Sequence, residues 1–380
     1  MHLRARANKP AKMTGLHFIF FLLCDTVVLA DKAGRMDIFL ERTGSSSSVL
    51  NPLVNLHIDG INVNALVDTG GVYLFFLWKT WYEATQNGSC ASTIYKCYEC
   101  DPAPCLAGPS ETLKFDDGSR VRTFLYTSSI NFGTESARGI NIGLVCGFVP
   151  GPESRSTVWA SLGLRARWSS MYPDYMTIIE QLLAQPAGER LIDRSSFSVY
   201  MKAEEHPSGE VILGGQDPTK YDGLLGYIKV VNDDEQYINL LGIKIGKGNK
   251  IEFHESTVLD TGTPKLIFSF YLQSKVLNLL RTAGKKKVGI REESGNFVIP
   301  CDEAKFLPAI TFYLQGLQGE PVPLEVIALS IVNKVDEDKC LLDIDFSEDP
   351  SFVIGLPAYI GNYYFYELED SRIGLAKTRT

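Results

Sequence analysis

A repeated tripeptide constrains the fold of this 380-residue chain more than any other feature. Apolar residues lead into Asp-Thr-Gly twice, at residues 68–70 and at residues 260–262. Each copy is followed, 95 positions after its aspartate, by a glycine between apolar neighbours: Gly163 (163 − 68) and Gly355 (355 − 260). A spacing matched over this length predicts two related halves built on one plan.

Short alternating apolar runs, typical of β-strands, dominate both halves, for example at residues 53–58 and 238–243. Each half also contains one helical pattern, at residues 176–183 and at residues 270–280. The sequence therefore predicts a mostly β fold of two lobes related by a pseudo-twofold axis, with few short helices.

The boundary between the lobes is expected near residues 197–215, where two further strand patterns occur. We assign residues 31–200 to an N-terminal lobe, with the first Asp-Thr-Gly, and residues 201–380 to a C-terminal lobe, with the second.

The first 30 residues have the pattern of a secretory signal peptide: basic residues, a short apolar run and a small residue, Ala30. The competing interpretation, a membrane anchor, is disfavoured because the apolar run is too short to cross about 30 Å of hydrocarbon. We expect no stable membrane span, and a secreted protein or one in an acidic lumen of the lysosome or vacuole type. The sequon at Asn87 predicts a glycosylation site.

The overall charge excludes one class of partner. Formal net charge is −8 at pH 7, which argues against nucleic-acid binding through phosphate contacts. A hydrophobic fraction of 45% with 22% charged residues is typical of a globular protein.

Four cysteines lie within sixteen residues, at Cys90, Cys97, Cys100 and Cys105. In a secreted chain they predict two disulfides, with three pairings open. The Cys97-x-x-Cys100 spacing would also suit zinc, but no second pair or histidine completes such a site. Cys146 is the odd cysteine and is expected to be a buried thiol.

Asp68 and Asp260 are the candidate catalytic residues. A carboxylate placed just after a buried strand is costly unless something pairs with it, and the other aspartate is the partner that symmetry provides. Two adjacent carboxyls share one proton. One can then accept a proton from water while the other polarises an amide carbonyl, which is hydrolysis without a metal or a covalent intermediate.

The neighbouring residues support this pairing. Gly70 and Gly262 have no Cβ, so the two loops can approach closely. The hydroxyls of Thr69 and Thr261 can brace the loops through hydrogen bonds.

Over roughly residues 45–380 the sequence resembles the pepsin-like (A1) aspartic peptidases, whose catalytic aspartates lie in Asp-Thr-Gly loops that match Asp68 and Asp260. Cys301 and Cys340 match the cysteines of the family's C-terminal-lobe disulfide. Other matching blocks are residues 197–200, 209–215, 221–223, 306–312 and 372–376. The resemblance implies the bilobal pepsin-like acid protease fold, an aspartic endopeptidase active at acidic pH between apolar residues, a peptide or protein substrate, no cofactor or metal, and a monomer.

The segment 115–119 resembles the tip of the family's substrate-covering flap, with Phe115 in the place of the flap tyrosine. Phe75 takes the place of the tryptophan that partners this tyrosine. The resemblance implies a set of substrate-binding residues: Gly70, Gly262, Phe75, Phe115, Asp117, Gly118 and Ser119.

Three other positions depart from the family pattern. Gly71 replaces a Ser or Thr that donates to the first aspartate, whereas Thr263 keeps that loop-bracing hydroxyl in the second loop. Leu356 replaces an aspartate, and Ala160-Ser161 replaces an Asp-Gly-Ile entry. The family's basic pro-segment of about forty residues is not recognised before the first lobe. Gly71, Phe115 and the unrecognised pro-segment keep open an alternative, a catalytically silent pepsin-fold protein that binds through its cleft.

Overall fold

A computed structural model describes most of the chain beyond the predicted signal peptide. The described ranges are 33–43, 49–86, 88–152, 157–166, 175–232, 236–348 and 352–379. Residues 1–30 and Asn87 lie outside them, so the signal peptide and the glycosylation site stay predictions.

The described residues form mostly β-strands and a few short helices, as the sequence predicts. The strands of the first half are β1 (Arg35–Thr43), β2 (Val49–Ile58), β3 (Ile61–Asp68), β4 (Leu74–Leu77), β5 (Ser110–Lys114), β6 (Arg120–Phe132), β7 (Glu135–Val149), β8 (Ser161–Gly163), β9 (Ser196–Met201) and β10 (Gly209–Leu213). The later strands are β11 (Tyr221–Asn232), β12 (Tyr237–Ile245), β13 (Ile251–Leu259), β14 (Leu266–Ser269), β15 (Arg291–Glu293), β16 (Asn296–Pro300), β17 (Ile310–Gln315), β18 (Pro321–Val326), β19 (Val332–Lys334), β20 (Lys339–Leu342), β21 (Ile344–Ser347), β22 (Phe352–Ile354), β23 (Asn362–Glu367) and β24 (Arg372–Thr378). The α-helices are α1 (Lys79–Thr85), α2 (Ile178–Leu183) and α3 (Gln273–Thr282).

Both predicted helical segments are helical. The first is shorter than its apolar pattern, because α2 begins only after Thr177, whose side chain accepts from the backbone N–H of Glu180 while the Glu180 carboxylate accepts from the Thr177 N–H. The second begins with a 3-10 turn, Phe270–Leu272, and continues as α3.

The two halves repeat one strand arrangement around their Asp-Thr-Gly loops. In the first half, β8 pairs parallel with β3 and antiparallel with β4, and β4 pairs parallel with β7. In the second half, β22 pairs parallel with β13 and antiparallel with β14, and β14 pairs parallel with β21. The internal repeat therefore corresponds to a structural repeat, and each aspartate stands at the end of a strand that pairs in parallel with the strand of its glycine partner.

One antiparallel sheet joins the two halves. Its order is β1, β10, β9, β23, β24 and β11, so that β9 and β23 form the junction. At this junction the buried rings of Phe197 and Tyr366 stack with their centroids 4.4 Å apart. The strands of the expected boundary, β9 and β10, both belong to this sheet. The division at residue 200 remains a prediction.

The cysteine pairing leaves one thiol free. The disulfides are Cys90–Cys97, Cys100–Cys105 and Cys301–Cys340, and the last is the pair implied by the resemblance. Cys97 and Cys100 lie in different disulfides, so neither can serve as a zinc thiolate. The expectation of a buried thiol at Cys146 is corrected: it is free but only half-buried, because it lies at an irregularity in the β6–β7 pairing. Within the described ranges, no helix has the length and apolar character to cross a bilayer.

Candidate active site

The two Asp-Thr-Gly loops bring Asp68 and Asp260 together. Asp68 is the last residue of β3 and is buried, and Asp260 directly follows β13 and is half-buried. A methyl group on Gly262 would lie 2.7 Å from Asp68 Oδ1 and 2.9 Å from Asp260 Oδ1. The two Oδ1 atoms are therefore no further apart than the sum of those distances, 5.6 Å. A methyl on Gly70 would lie 2.5 Å from Asp260 Cγ, so each glycine leaves space for the opposite carboxylate.

Reciprocal hydrogen bonds between the two threonines hold the loops in register. The Thr69 N–H donates to Thr261 Oγ1 at 3.1 Å, and the Thr261 N–H donates to Thr69 Oγ1 at 3.0 Å. The Thr69 hydroxyl donates to the carbonyl of Leu259 at 3.0 Å, and the Thr261 hydroxyl to that of Val67 at 2.5 Å. Two of these bonds join the loops to each other, and the other two tie each loop to the strand of the other half.

Each aspartate accepts a hydrogen bond at its Oδ1 atom from the backbone of its own loop. The Gly70 N–H donates to Asp68 at 3.1 Å and the Gly262 N–H to Asp260 at 2.7 Å. These donors favour the ionised form of a carboxyl and fix its orientation.

The Oδ2 atoms of the two aspartates have different donors. Thr263 donates to Asp260 Oδ2 at 2.5 Å, as the resemblance implied. Gly71 has no hydroxyl, and Ser161 on β8 lies 3.4 Å from Asp68 Oδ2 instead. The first loop is held further by Arg165, which donates to the Gly70 carbonyl at 3.2 Å from its side chain.

A chain of buried hydroxyls continues from Thr69 into the sheet between the halves. The phenol oxygen of Tyr359 lies 2.9 Å from Thr69 Oγ1 and 2.7 Å from the phenol of Tyr366. Burial raises the pKa of both phenols, so they remain protonated donors. Because Thr69 already donates to a carbonyl, Tyr359 donates to Thr69 and Tyr366 donates to Tyr359.

The predicted flap is a hairpin of β5 and β6. Its turn closes where Phe115 and Ser119 bond through their backbones at 3.1 Å. Asp117 accepts from the N–H of Ser119 at 2.9 Å and from its hydroxyl at 2.6 Å. Gly118 has φ of +78°, a conformation that favours glycine.

Phe115 packs its half-buried ring into an aromatic cluster in place of the hydrogen bond that a flap tyrosine would make. The centroid distances are 4.8 Å to Trp159, 6.1 Å to Phe75 and 6.2 Å to Tyr73, all edge-to-face. Phe75 is fully buried and packs against Phe115 from the core.

Sequence reasoning missed four residues of this site: Ser161, Trp159, Tyr359 and Tyr366. Ser161 could have been found by comparing the halves at equal offsets from their aspartates, because it is equivalent in position to Val353 of the second half. The other three carry no signal in their spacing, since buried aromatic residues are frequent in any β core.

Comparison with known proteins agrees with this geometry. The family model for eukaryotic aspartyl proteases matches residues 58–378. Rhizopuspepsin-2 of Rhizopus niveus is 26% identical over 331 residues, which are 85% of this chain and 77% of the relative. The acid protease of Saccharomycopsis fibuligera is 22% identical over 278 residues, 70% of this chain and 67% of the relative.

Animal relatives match over a shorter stretch. Human cathepsin D is 28% identical over 199 residues, which are 50% of this chain and 46% of that protein. This match therefore spans about half of each protein. The family model, in contrast, covers both Asp-Thr-Gly loops, the flap and five of the six strands of the sheet that joins the halves (β9, β10, β11, β23 and β24). The chain belongs to the eukaryotic aspartyl protease family, the pepsin family.

Proposed function

We propose that the protein is an aspartic endopeptidase that hydrolyses peptide bonds with a water activated by Asp68 and Asp260. The observation that carries this proposal is the convergence of the two carboxylates, whose Oδ1 atoms lie within 5.6 Å of each other on loops locked by Thr69 and Thr261. Two like charges brought together in this way disfavour each other, and we propose that the pair holds one proton and acts as an acid and a base together.

The reaction needs one ionised and one protonated carboxyl. The ionised group takes a proton from the attacking water, and the protonated group donates to the carbonyl oxygen of the peptide. The N–H groups of Gly70 and Gly262 hold the two Oδ1 atoms in the same way. The loops differ in the residues that donate to the Oδ2 atoms, Thr263 for Asp260 and Ser161 for Asp68. Activity is expected at acidic pH, where one of the two carboxyls retains its proton.

The flap indicates the class of substrate. An extended peptide would lie between the loops and the tip at residues 115–119, bonding through its backbone like an added strand. The aromatic ring of Phe115 suits apolar side chains beside the scissile bond. Three disulfides fit an oxidising compartment, and we propose a secreted or acidic lumenal protein that acts as a monomer.

Cleavage of a quenched fluorescent peptide with a central Phe–Phe bond tests the proposal. Rates would be measured from about pH 3 to pH 7, with and without pepstatin, a transition-state inhibitor of this family. We expect activity that peaks in acid, is blocked by pepstatin and is lost in Asp260→Asn.

Asp193→Asn is the matched control, since the Asp193 side chain is 81% exposed and makes a loose ion pair of 3.9 Å with Arg190. This variant should cleave like the wild type. Absence of cleavage at every pH, from protein that unfolds cooperatively, would refute the peptidase and leave a cleft that only binds.

A further inference from the structure

We propose that Ser161 is a positioning residue for Asp68, and that its hydroxyl does in the first half what the Thr263 hydroxyl does for Asp260 in the second. The inference deepens the proposed function and rests on it. In the second half the hydroxyl belongs to Thr263, next to the Asp-Thr-Gly loop. In the first half it belongs to Ser161, on the neighbouring strand β8.

The equivalence of the halves is given by strand register. On β8, Ser161 lies opposite Leu66 of β3 and Phe75 of β4. On β22, Val353 lies opposite Val258 of β13 and Ile267 of β14. All three offsets from the respective aspartates agree (−2, +7 and +93), so Ser161 and Val353 occupy the same place in their halves.

The hydroxyl-bearing residue occupies a different position in each half. Three residues after its aspartate, the second half has Thr263, and 93 residues after it has the apolar Val353. At the same two offsets the first half has Gly71 and Ser161. A Cβ on Gly71 would overlap the Asp68 carboxylate, which therefore occupies the space that a hydroxyl-bearing side chain would take there.

Burial makes the contact of Ser161 with Asp68 significant. Ser161 is 1% exposed, and most buried hydroxyls in folded proteins have a hydrogen-bond partner. Its Oγ donates to Asp68 Oδ2 over 3.4 Å, longer than the 2.5 Å of the Thr263 bond, so its effect is the smaller of the two.

Other charges near Asp68 come from two neighbouring elements. Asp260 faces it from the second loop, and Arg165, which follows β8, donates to the Gly70 carbonyl. The Ser161 bond stabilises the ionised carboxyl and holds its plane, which assists the shared-proton state.

The test is the pH dependence of kcat/KM for Ser161→Ala. Losing a donor to an ionised carboxyl should move the acid limb upward by about 0.5–1 pH unit. Ser161→Cys keeps a side chain of similar shape with a weak donor and should give a smaller shift. Ser196→Ala is the matched control, because Ser196 is equally buried and its hydroxyl has no partner among the described residues.

A second readout separates this inference from the proposed function. Infrared titration of the Asp68 carboxyl, identified by its loss in Asp68→Asn, reports the same bond in protein that cleaves nothing. An upward shift in Ser161→Ala supports the inference even if peptidase activity is absent. The inference is overturned if Ser161→Ala folds and its acid limb and Asp68 titration are the same as those of the wild type. If the alanine variant does not fold, the same two measurements on Ser161→Cys decide.

Discussion

The Tyr359 phenol donates to the Thr69 hydroxyl over 2.9 Å, which links the loop of the first aspartate to a residue near the far end of the second half. Tyr359 is fully buried and Thr69 is 2% exposed. The hydroxyl of Thr69 thereby has every hydrogen-bonding position occupied: it donates to Leu259 and accepts from Thr261 and Tyr359.

Removing the phenol at the centre of this chain should cost more than removing the one at its end. Tyr359→Phe removes two bonds of the chain, those with Thr69 and with Tyr366, whereas Tyr366→Phe removes the bond with Tyr359 and leaves that of Tyr359 with Thr69 in place. We expect losses in the free energy of unfolding of about 2–3 kcal/mol and about 1 kcal/mol, respectively. Urea unfolding measures both, and equal losses or the reverse order would contradict the central place of Tyr359 in the chain.

A methyl group on either loop glycine should abolish activity while the fold survives. In Gly70→Ala the new Cβ meets the Asp260 carboxylate at 2.5 Å, and the loops must separate. We expect kcat to fall by about 100-fold or more, because displacement of reacting groups by about 1 Å has that effect. Gly188→Ala is the control, since its Cβ would meet nothing within 4 Å. Full activity of Gly70→Ala would show that the carboxylates need not approach closely.

Truncating the flap aromatic should affect substrate use more than stability. Phe115 is half-buried against Trp159 and Phe75, so Phe115→Ala should lower the free energy of unfolding by only about 1–2 kcal/mol. The flap would close less well on an apolar side chain, and we expect KM to rise about tenfold. Steady-state kinetics would be compared with Phe270→Ala, an aromatic residue 53% exposed and distant in sequence from the flap. An unchanged KM would mean that the ring only fills space.

A buried carboxyl outside the site should make the fold more stable in acid. Burial raises the pKa of Asp343 to about 7, although a hydrogen bond with Asn333 and the charges of Lys265 and Arg42 oppose this rise. The native protein therefore keeps a proton that the unfolded chain loses near pH 4. This contribution to stability is fully present below about pH 4 and is lost as the pH rises through about 7.

Asp343→Asn should remove that pH dependence. Between about pH 4.5 and pH 7.5 the wild type should lose up to about 4 kcal/mol more in the free energy of unfolding than the variant. Urea unfolding at the two pH values measures the difference, with the exposed Asp193→Asn as control. Parallel losses in wild type and Asp343→Asn would show that Asp343 is ionised in the native state.

The repeat predicted the pairing of the two aspartates, and the short alternating apolar runs predicted the mostly β architecture. The equal spacing in the sequence corresponds to equal strand pairing in the fold. In each half, the strand before Asp-Thr-Gly pairs in parallel with the strand of its glycine partner. The flap turn was implied by the resemblance of residues 115–119 to the family's flap tip, and Gly118 has the positive φ that such a turn favours.

Other features depend on three-dimensional proximity that spacing does not encode. The pairing of Cys90 with Cys97 was one of three possibilities until loop geometry selected it. The contact of Trp159 with Phe115 joins residues on different strands, and a buried tyrosine such as Tyr359 shows its hydrogen bond only once its neighbours are known.

The sheet that joins the halves has a consequence for synthesis of the chain. Thr69 and Thr261 are 192 residues apart, and the sheet that aligns their loops is completed by β24, which ends at Thr378. At about 5–20 residues per second, the second loop leaves the ribosome about 10–40 s after the first. A nascent first half thus has an aspartate without its partner, and paired carboxylates arise only when translation of the second half is nearly complete.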